Sequence, residues 1–357
     1  MLIFLGLVLF VLLVVVHEFG HMIMAKKSGV EVEEFGVGFP PRAKLLTKKD
    51  DTEYTLNWLP LGGFVKLKGE HDSATGKGTF GAASFWNKTK IILAGVFMNW
   101  IAAIVIFTII ALIGMPQLIE NQFQVKSDAK VSKQEVLAGF VEEGSPADSI
   151  GLKQGDRIVQ LNDHHIASST DLRTTTKKYA GESVNVRFVQ GGQELNKNVT
   201  LRNDETKGNF GVAPADNTLV RSTWSAPIVG VGTTAQFTAE TFKGLFNAVA
   251  NIFQGNASKA GEAVTGPVGI VVVLKDLSNQ GLVFVLFLIG VISVSLAVMN
   301  TLPIPALDGG RLFVMALFKL IKKPLTKELE EKIHGTGMAA LLILAVLITV
   351  LDVKRFF

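Results

Sequence analysis

The strongest constraint on this chain is its set of long apolar stretches. Residues 2–25, 91–113 and 338–351 are almost wholly apolar, and a further apolar region covers 282–321. A bilayer core of about 30 Å takes roughly 20 helical residues, so the first two stretches have the length of spanning helices. The last reaches that length when residues 333–337 contribute. The region 282–321 would be about 60 Å long as one straight helix, twice what a membrane needs. It has to break, and NTLPIPALDGG at 300–310 marks the place. There Pro303 and Pro305 remove backbone donors, while Gly309 and Gly310 loosen the chain.

Composition agrees with a membrane protein. The chain has 357 residues, 48% of them hydrophobic, and a mean hydropathy of +0.37. Cysteine is absent, which excludes disulfides and thiolate metal sites and leaves His, Asp and Glu as metal ligands. The net charge of +4 is spread out, with no basic run interleaved with aromatics, so nucleic-acid binding has no support. Orientation follows from basic residues in short loops. Residues 26–90 hold eleven Lys and Arg, and 319–332 hold five Lys. Both are expected in the cytosol, with the amino terminus and residues 114–281 outside and four crossings. Lys354 and Arg355 at the outer carboxyl end run against this rule. The first stretch lacks the basic start and small-residue cleavage site of a signal peptide.

The first apolar stretch carries His17, Glu18 and His21 in its interior. On a helix the two histidines project from one face, one turn apart, and Glu18 stands beside the first. This is HExxH: two neutral imidazoles hold zinc and the carboxylate takes a proton from the attacking water. A purely structural role, with polar side chains gluing helices together, is the alternative. Ionisable groups in lipid are costly and by default functional. With Lys26 at the cytosolic edge, His17 lies about 13 Å deep and His21 about 7 Å deep. Two histidines leave a catalytic zinc one protein ligand short. Asp308 is the best candidate for the third, because it lies in the broken span, where non-helical backbone is tolerated only at a cavity. It could instead cap the helix that follows, and His334 is a weaker rival ligand. His71, His164 and His165 lie in polar surroundings and read as solvated.

HEFGH in a first span and NTLPIPALDGG in a later one resemble the site-2 protease family of intramembrane zinc metalloproteases, and FGVGFP, LPLGGFVKLKGE and GPVGI also look like its signatures. The resemblance implies one zinc ion held by His17, His21 and Asp308, Glu18 as the base, and Asn300 holding the substrate backbone. The second span departs from the family: AGP followed by asparagine is usual there, whereas this chain reads AGVFMN, with Val96 replacing the proline and Asn99 retained. The resemblance further implies a multi-pass protein of the cytoplasmic (inner) membrane, with the lipid bilayer and single-pass membrane proteins as its partners. Anti-sigma factors trimmed by an earlier protease and remnant signal peptides are both family substrates, and the sequence does not choose between them. A catalytically silent membrane receptor and a metal transporter are the rivals. Retention of Glu18 argues against the first, and the single ligand cluster against the second.

The expected fold class is a multi-pass α-helical membrane protein of about four spans with two insertions. Its segments are 1–25 (first span), 26–90 (cytosolic loop), 91–113 (second span), 120–215 (external α+β domain), 216–281 (membrane-surface region), 282–321 (broken span) and 333–353 (last span). Residues 137–201 alternate strand-like and helical patterns and resemble a single PDZ domain. Within it AGFV, with Gly139 and Phe140, would be the loop whose backbone amides take a peptide carboxylate; a bulky gate against intact proteins is the alternative role. Phe242, Phe246, Val249 and Phe253 mark an amphipathic helix, expected on the outer leaflet, with packing on the spans as the alternative. YTLNWLPLGGFVKLKGE alternates around Gly62 and Gly63 like a hairpin; one edge of it could pair with an unwound substrate, and a purely scaffolding role is the alternative.

Overall fold

The computed structural model describes residues 1–119, 121–203, 208–255 and 266–356. The expected domain boundary at 120, part of that domain at 204–207, and residues 256–265 of the expected membrane-surface region lie outside these. The chain divides into two compact units, one made of Met1–Ile109 with Pro227–Phe357 and the other of Ile110–Ala226.

The first unit opens with helix α1 (Leu2–Lys27), whose last turn holds Lys26 and Lys27, cations that favour the carboxyl end of the helix dipole. Strands β1 (Val32–Lys49) and β2 (Thr52–Leu67) follow. The expected simple hairpin is more elaborate than that. Residues 34–37 pair with 63–66 and also with 53–56, while 42–49 pair with 52–57. Pro40, Pro41 and Pro60 fall between these paired segments, where missing donors interrupt a ladder. Helix α2 (Phe85–Ile113) completes this part. Met22, Ala25, Phe35, Leu67, Phe80 and Ile91 are buried together, so the sheet and the two helices share one core.

The second unit contains β3 (Met115–Pro116), β4 (Lys130–Val141), α3 (Pro146–Ser149), β5 (Arg157–Leu161), β6 (His164–His165), α4 (Ser169–Lys178), β7 (Ser183–Gln190), β8 (Gln193–Thr200) and β9 (Val212–Arg221). Its antiparallel sheet runs β3-β9-β4-β5-β7-β8, with β6 against β5. Alternation sets its core: Val184, Val186 and Phe188 of β7 pack with Leu161 and Leu172, as a period of two requires. Ser145 and Ser168 cap the two helices by accepting the Asp148 and Asp171 amides. Gly191 and Gly192 join β7 to β8 with φ of 58° and 84°, the positive values that a two-residue hairpin turn demands. Buried Asp128 accepts the backbone amides and hydroxyls of Thr223 and Ser225 at 2.5 to 3.0 Å. The Ser225 and Thr223 hydroxyls hold its carboxyl well below the usual carboxylate range. One expectation is corrected here. Gly139 and Phe140 lie inside β4, not in a loop, and the ladder with β9 continues past them through Val141. Val136 and Ala138 face the core in alternation, which keeps the strand extended through this stretch.

The chain returns to the first unit through helices α5 (Ala226–Phe253), α6 (Pro267–Gln280), α7 (Leu282–Thr301), α8 (Asp308–Leu320) and α9 (Lys327–Phe356). Among the described residues, α1, α2, α7 and α9 are long and apolar enough to cross a membrane. Phe242, Phe246, Val249 and Phe253 are all exposed on α5, so among the described residues no core claims that face. Asp352 of α9 accepts the Gly269 amide at 2.7 Å, placing an anion at the amino end of α6.

The break between α7 and α8 is tightly built. A Cβ on Gly310 would stand 1.9 Å from the Ile304 carbonyl oxygen, and one on Gly309 would stand 2.4 Å from that of Thr301. Only glycine fits so close to backbone. Ala306 adopts φ of 80°, and its amide donates to His334 Nδ1 at 3.1 Å. From α9, Gly337 lies so close to Pro305 that a Cβ would meet that backbone at 2.5 Å. Asp308, the first residue of α8, is therefore held by a turn fixed from two sides.

Candidate metal centre

Helix α1 carries His17 and His21, both 8% exposed, on the face it turns to α2. Close approach of the helices depends on small residues. A Cβ on Gly20 would be 2.5 Å from the Ala94 carbonyl, and one on Gly95 would be 2.4 Å from His21 Nε2. Gly95 thus leaves the volume that the imidazoles occupy. The tautomer of His21 follows from its surroundings: Nδ1 lies 2.8 Å from the Ile91 carbonyl oxygen. A carbonyl only accepts, so Nδ1 carries a proton, and in the neutral ring Nε2 then presents a lone pair.

That lone pair faces two other ligand atoms. His17 Nε2 is 3.1 Å from His21 Nε2, and Asp308 Oδ2 lies 3.1 Å from His17 Nε2 and 3.3 Å from His21 Nε2. Zinc bonds of about 2.0–2.2 Å to nitrogen and oxygen at tetrahedral angles separate ligand atoms by about 3.3 Å. The donor set therefore fits a zinc ion in spacing and in chemistry. Among the described residues these are the three His, Asp or Glu side chains grouped closely enough to hold a metal.

Glu18 lines a cavity of about 110 Å³ with His21, Asp308, Val65, Ile91 and Arg311. The strand bearing Gly62 and Gly63 runs alongside, since a Cβ on Gly63 would be 3.7 Å from Glu18 Cγ and one on Gly62 3.7 Å from Val14. A second cavity of about 440 Å³ shares Glu70, Asp308 and Arg311 with the first and is also lined by His334 and Glu330. Asn300, in the last turn of α7, donates its side-chain amide to the Leu296 carbonyl of its own helix at 3.0 Å. His334 is engaged with Ala306 and so supports the Asp308 turn; it does not join the ligand cluster. His164 pairs with Asp171 at 2.8 Å, and His71 lies 3.5 Å from Glu331.

Sequence reasoning missed the groups around the ligands. Arg311 bonds the Glu70 carboxylate at 3.2 Å and its backbone carbonyl, and stacks over Phe80 at 4.5 Å. Glu330, 3% exposed, lies 3.8 Å from Arg311 Nε and accepts the Asp72 amide at 2.8 Å, and Asp72 pairs with Lys88. One signal for this was available, a carboxylate at 330 and an arginine at 311 beside apolar stretches. Gly95 and Asn99 were legible only as parts of AGVFMN.

The profile of Peptidase family M50 matches residues 5–344. The chain belongs to this family. As an M50 peptidase it is an enzyme of the site-2 protease type. A Clostridium perfringens protein provisionally named a zinc metalloprotease is 32% identical over 349 residues, covering 98% of this chain and 97% of that one. Zinc metalloprotease RasP of Geobacillus kaustophilus is 26% identical over 432 residues, covering 98% and 97%. Among solved structures, the PDZ domain of an SdrC-like protein from Listeria monocytogenes matches 24% of this M50 chain and 92% of its own. That match has 22% identity and a TM-score of 0.22.

Proposed function

We propose that this M50 peptidase is a membrane-embedded endopeptidase carrying one zinc ion per chain. It hydrolyses a peptide bond inside, or at the cytosolic edge of, a transmembrane segment of a single-pass membrane protein. The observation that carries this reading is the convergence of His17, His21 and Asp308 at 3.1 to 3.3 Å beside a cavity lined by Glu18. Zinc supplies a Lewis acid for the scissile carbonyl and lowers the pKa of water. Glu18 accepts the proton of the attacking water and returns it to the leaving amine. Glu18 is the residue to test. Glu18→Gln is expected to keep zinc and lose cleavage of a transmembrane reporter, and undiminished cleavage would sink the mechanism.

A helical substrate hides its carbonyls in its own hydrogen bonds, so it has to unwind before attack. Residues 63–66 pair with 34–37, and among the described residues no strand covers their other edge. Gly62 and Gly63 lie beside α1, so an unwound substrate adding to this edge would run past Glu18. Asn300 exchanges its bond to Leu296 for one to the substrate backbone. The lysine-rich segments support a metal site facing the cytosol of a cytoplasmic membrane. Pre-cleaved anti-sigma factors, remnant signal peptides or both are the substrate classes that suit this reading, each being a short single-pass segment.

The unit Ile110–Ala226 acts as an external PDZ domain that restricts access to intact proteins. Gly139 and Phe140 lie inside β4, so its peptide site is proposed elsewhere. Among the described residues, β9 is unpaired over 212–217 on the edge away from β4, because β3 covers only Leu219 and Val220. A cavity of about 300 Å³ beside it is lined by Leu172, Arg173, Thr176, Phe210 and Val212. An extended chain end adding to that edge would gain backbone bonds from the strand and side-chain contacts from α4.

A further inference from the structure

Resting on the zinc reading of the site, we infer that Asn99 is a positioning residue for the metal: its side-chain carbonyl takes the Nδ1 proton of His17 and so frees Nε2 to bind. His17 Nε2 is the ring atom that faces His21 Nε2 and Asp308 Oδ2. For Nε2 to offer a lone pair, the proton of a neutral ring has to sit on Nδ1, and a buried N–H needs an acceptor. The group bonded to Nδ1 is the Asn99 side-chain amide, whose nitrogen lies 3.2 Å away. Among the described residues its oxygen is buried without a hydrogen-bond partner. A half-turn about the terminal torsion exchanges the two atoms nearly in place. That rotation brings the unpartnered oxygen to the nitrogen that has to donate.

The location of Asn99 strengthens the assignment. Ile91, Gly95 and Asn99 are spaced by four residues on α2, a single stripe down one helix face. Ile91 accepts the Nδ1 proton of His21 through its backbone carbonyl at 2.8 Å. Gly95 leaves room for the rings. Asn99 then serves His17 as Ile91 serves His21, so one helix face fixes both tautomers. Asn99 is 1% exposed, and its backbone carbonyl accepts the Ser293 hydroxyl of α7 at 2.7 Å, which anchors the residue from a third helix. An amide suits the position because it accepts strongly without bringing another charge into an apolar interior.

The test uses the full-length protein in detergent with zinc alone as ligand, reading the zinc dissociation constant by competition with a chelator. Asn99→Leu keeps the volume and removes the acceptor. Its zinc dissociation constant is expected to rise about 10- to 100-fold, the range for lost partners of metal-bound histidines. Asn99→Asp retains an acceptor and is expected to bind zinc within a few-fold of the parent or more tightly. Equal weakening in both variants, or parental affinity in Asn99→Leu, overturns the inference. If Asn99→Leu fails to fold, the tautomer of His17 is read directly from imidazole ¹⁵N shifts of the zinc-loaded parent and of Asn99→Asp. A His17 signal with Nε2 protonated in either one refutes the assignment. A parent chain that binds no zinc would count against the reading of the whole site, a result distinct from either outcome above.

Discussion

Replacing Gly95 with alanine separates the needs of the metal centre from those of the fold. The added Cβ would stand 2.4 Å from His21 Nε2 and 2.7 Å from the Cε1 atoms of both His17 and His21, about 1 Å inside ordinary contact. Backbone movement offers little relief, because α1 and α2 already touch at Gly20 against Ala94. The rings therefore have to move. Overpacking costs about 1–3 kcal/mol, and exchanging glycine for alanine in a helix returns about 1 kcal/mol, so the melting temperature should change little. Coordination distances tolerate far less, since a 1 Å displacement is about half of a zinc–nitrogen bond. A misplacement of that size lowers turnover by about 100-fold. The expected result is a folded protein with reduced zinc affinity and cleavage of a transmembrane reporter reduced by about two orders of magnitude. Gly244→Ala, where a Cβ meets nothing within 4 Å, is the control and should keep both. Full zinc content and parental cleavage in Gly95→Ala would refute the packing argument.

Asp308→Ala should weaken zinc binding measured by chelator competition while leaving the helical circular dichroism intact; normal affinity would move the third ligand elsewhere. A cysteine at Lys48 should resist an impermeant thiol reagent in intact cells, and ready labelling would invert the orientation. Asp128 has a carboxyl pKa below its unfolded value of about 3.9, owing to the Ser225 and Thr223 hydroxyls. Its contribution to stability is therefore complete above about pH 3.9 and is lost as pH falls toward and through the lower folded value. The protection factors of the Thr223 and Ser225 amides, exchange rates corrected for intrinsic pH dependence, should fall on acidification below that point, and Asp128→Asn should flatten the dependence. An unchanged profile in that variant would show that another group controls acid opening.

The candidate ligands and base were legible because their chemistry conflicts with their surroundings. His17, Glu18, His21 and Asp308 are ionisable groups in sequence that otherwise suits lipid, and such conflicts stand out without any knowledge of folding. The break at Pro303 and Pro305 was equally plain, since proline removes donors wherever it lies. Asn99 and Gly95 were much harder to see. A neutral amide and a missing side chain conflict with nothing in an apolar helix, and their roles exist only once α1 lies against α2. The AGFV stretch failed for the opposite reason. Its glycine and exposed phenylalanine resemble a loop locally, but alternation of Val136 and Ala138 into the core commits the whole run to β4. The extra pairing of β1 with β2 depends on contacts across bends that local alternation does not record.

The turn that holds Asp308 has a consequence for biosynthesis. It is clamped by His334 and Gly337 of α9, and α9 also supplies Glu330 beside Arg311. A ribosome adding about 10 residues per second takes roughly half a minute to pass from His21 to Asp308. Throughout that interval the nascent chain displays His17, Glu18 and His21 without Asp308. On the proposed zinc reading, hydrolytic competence would arrive late, after the last helix has been made, and an unfinished chain would be a poor protease.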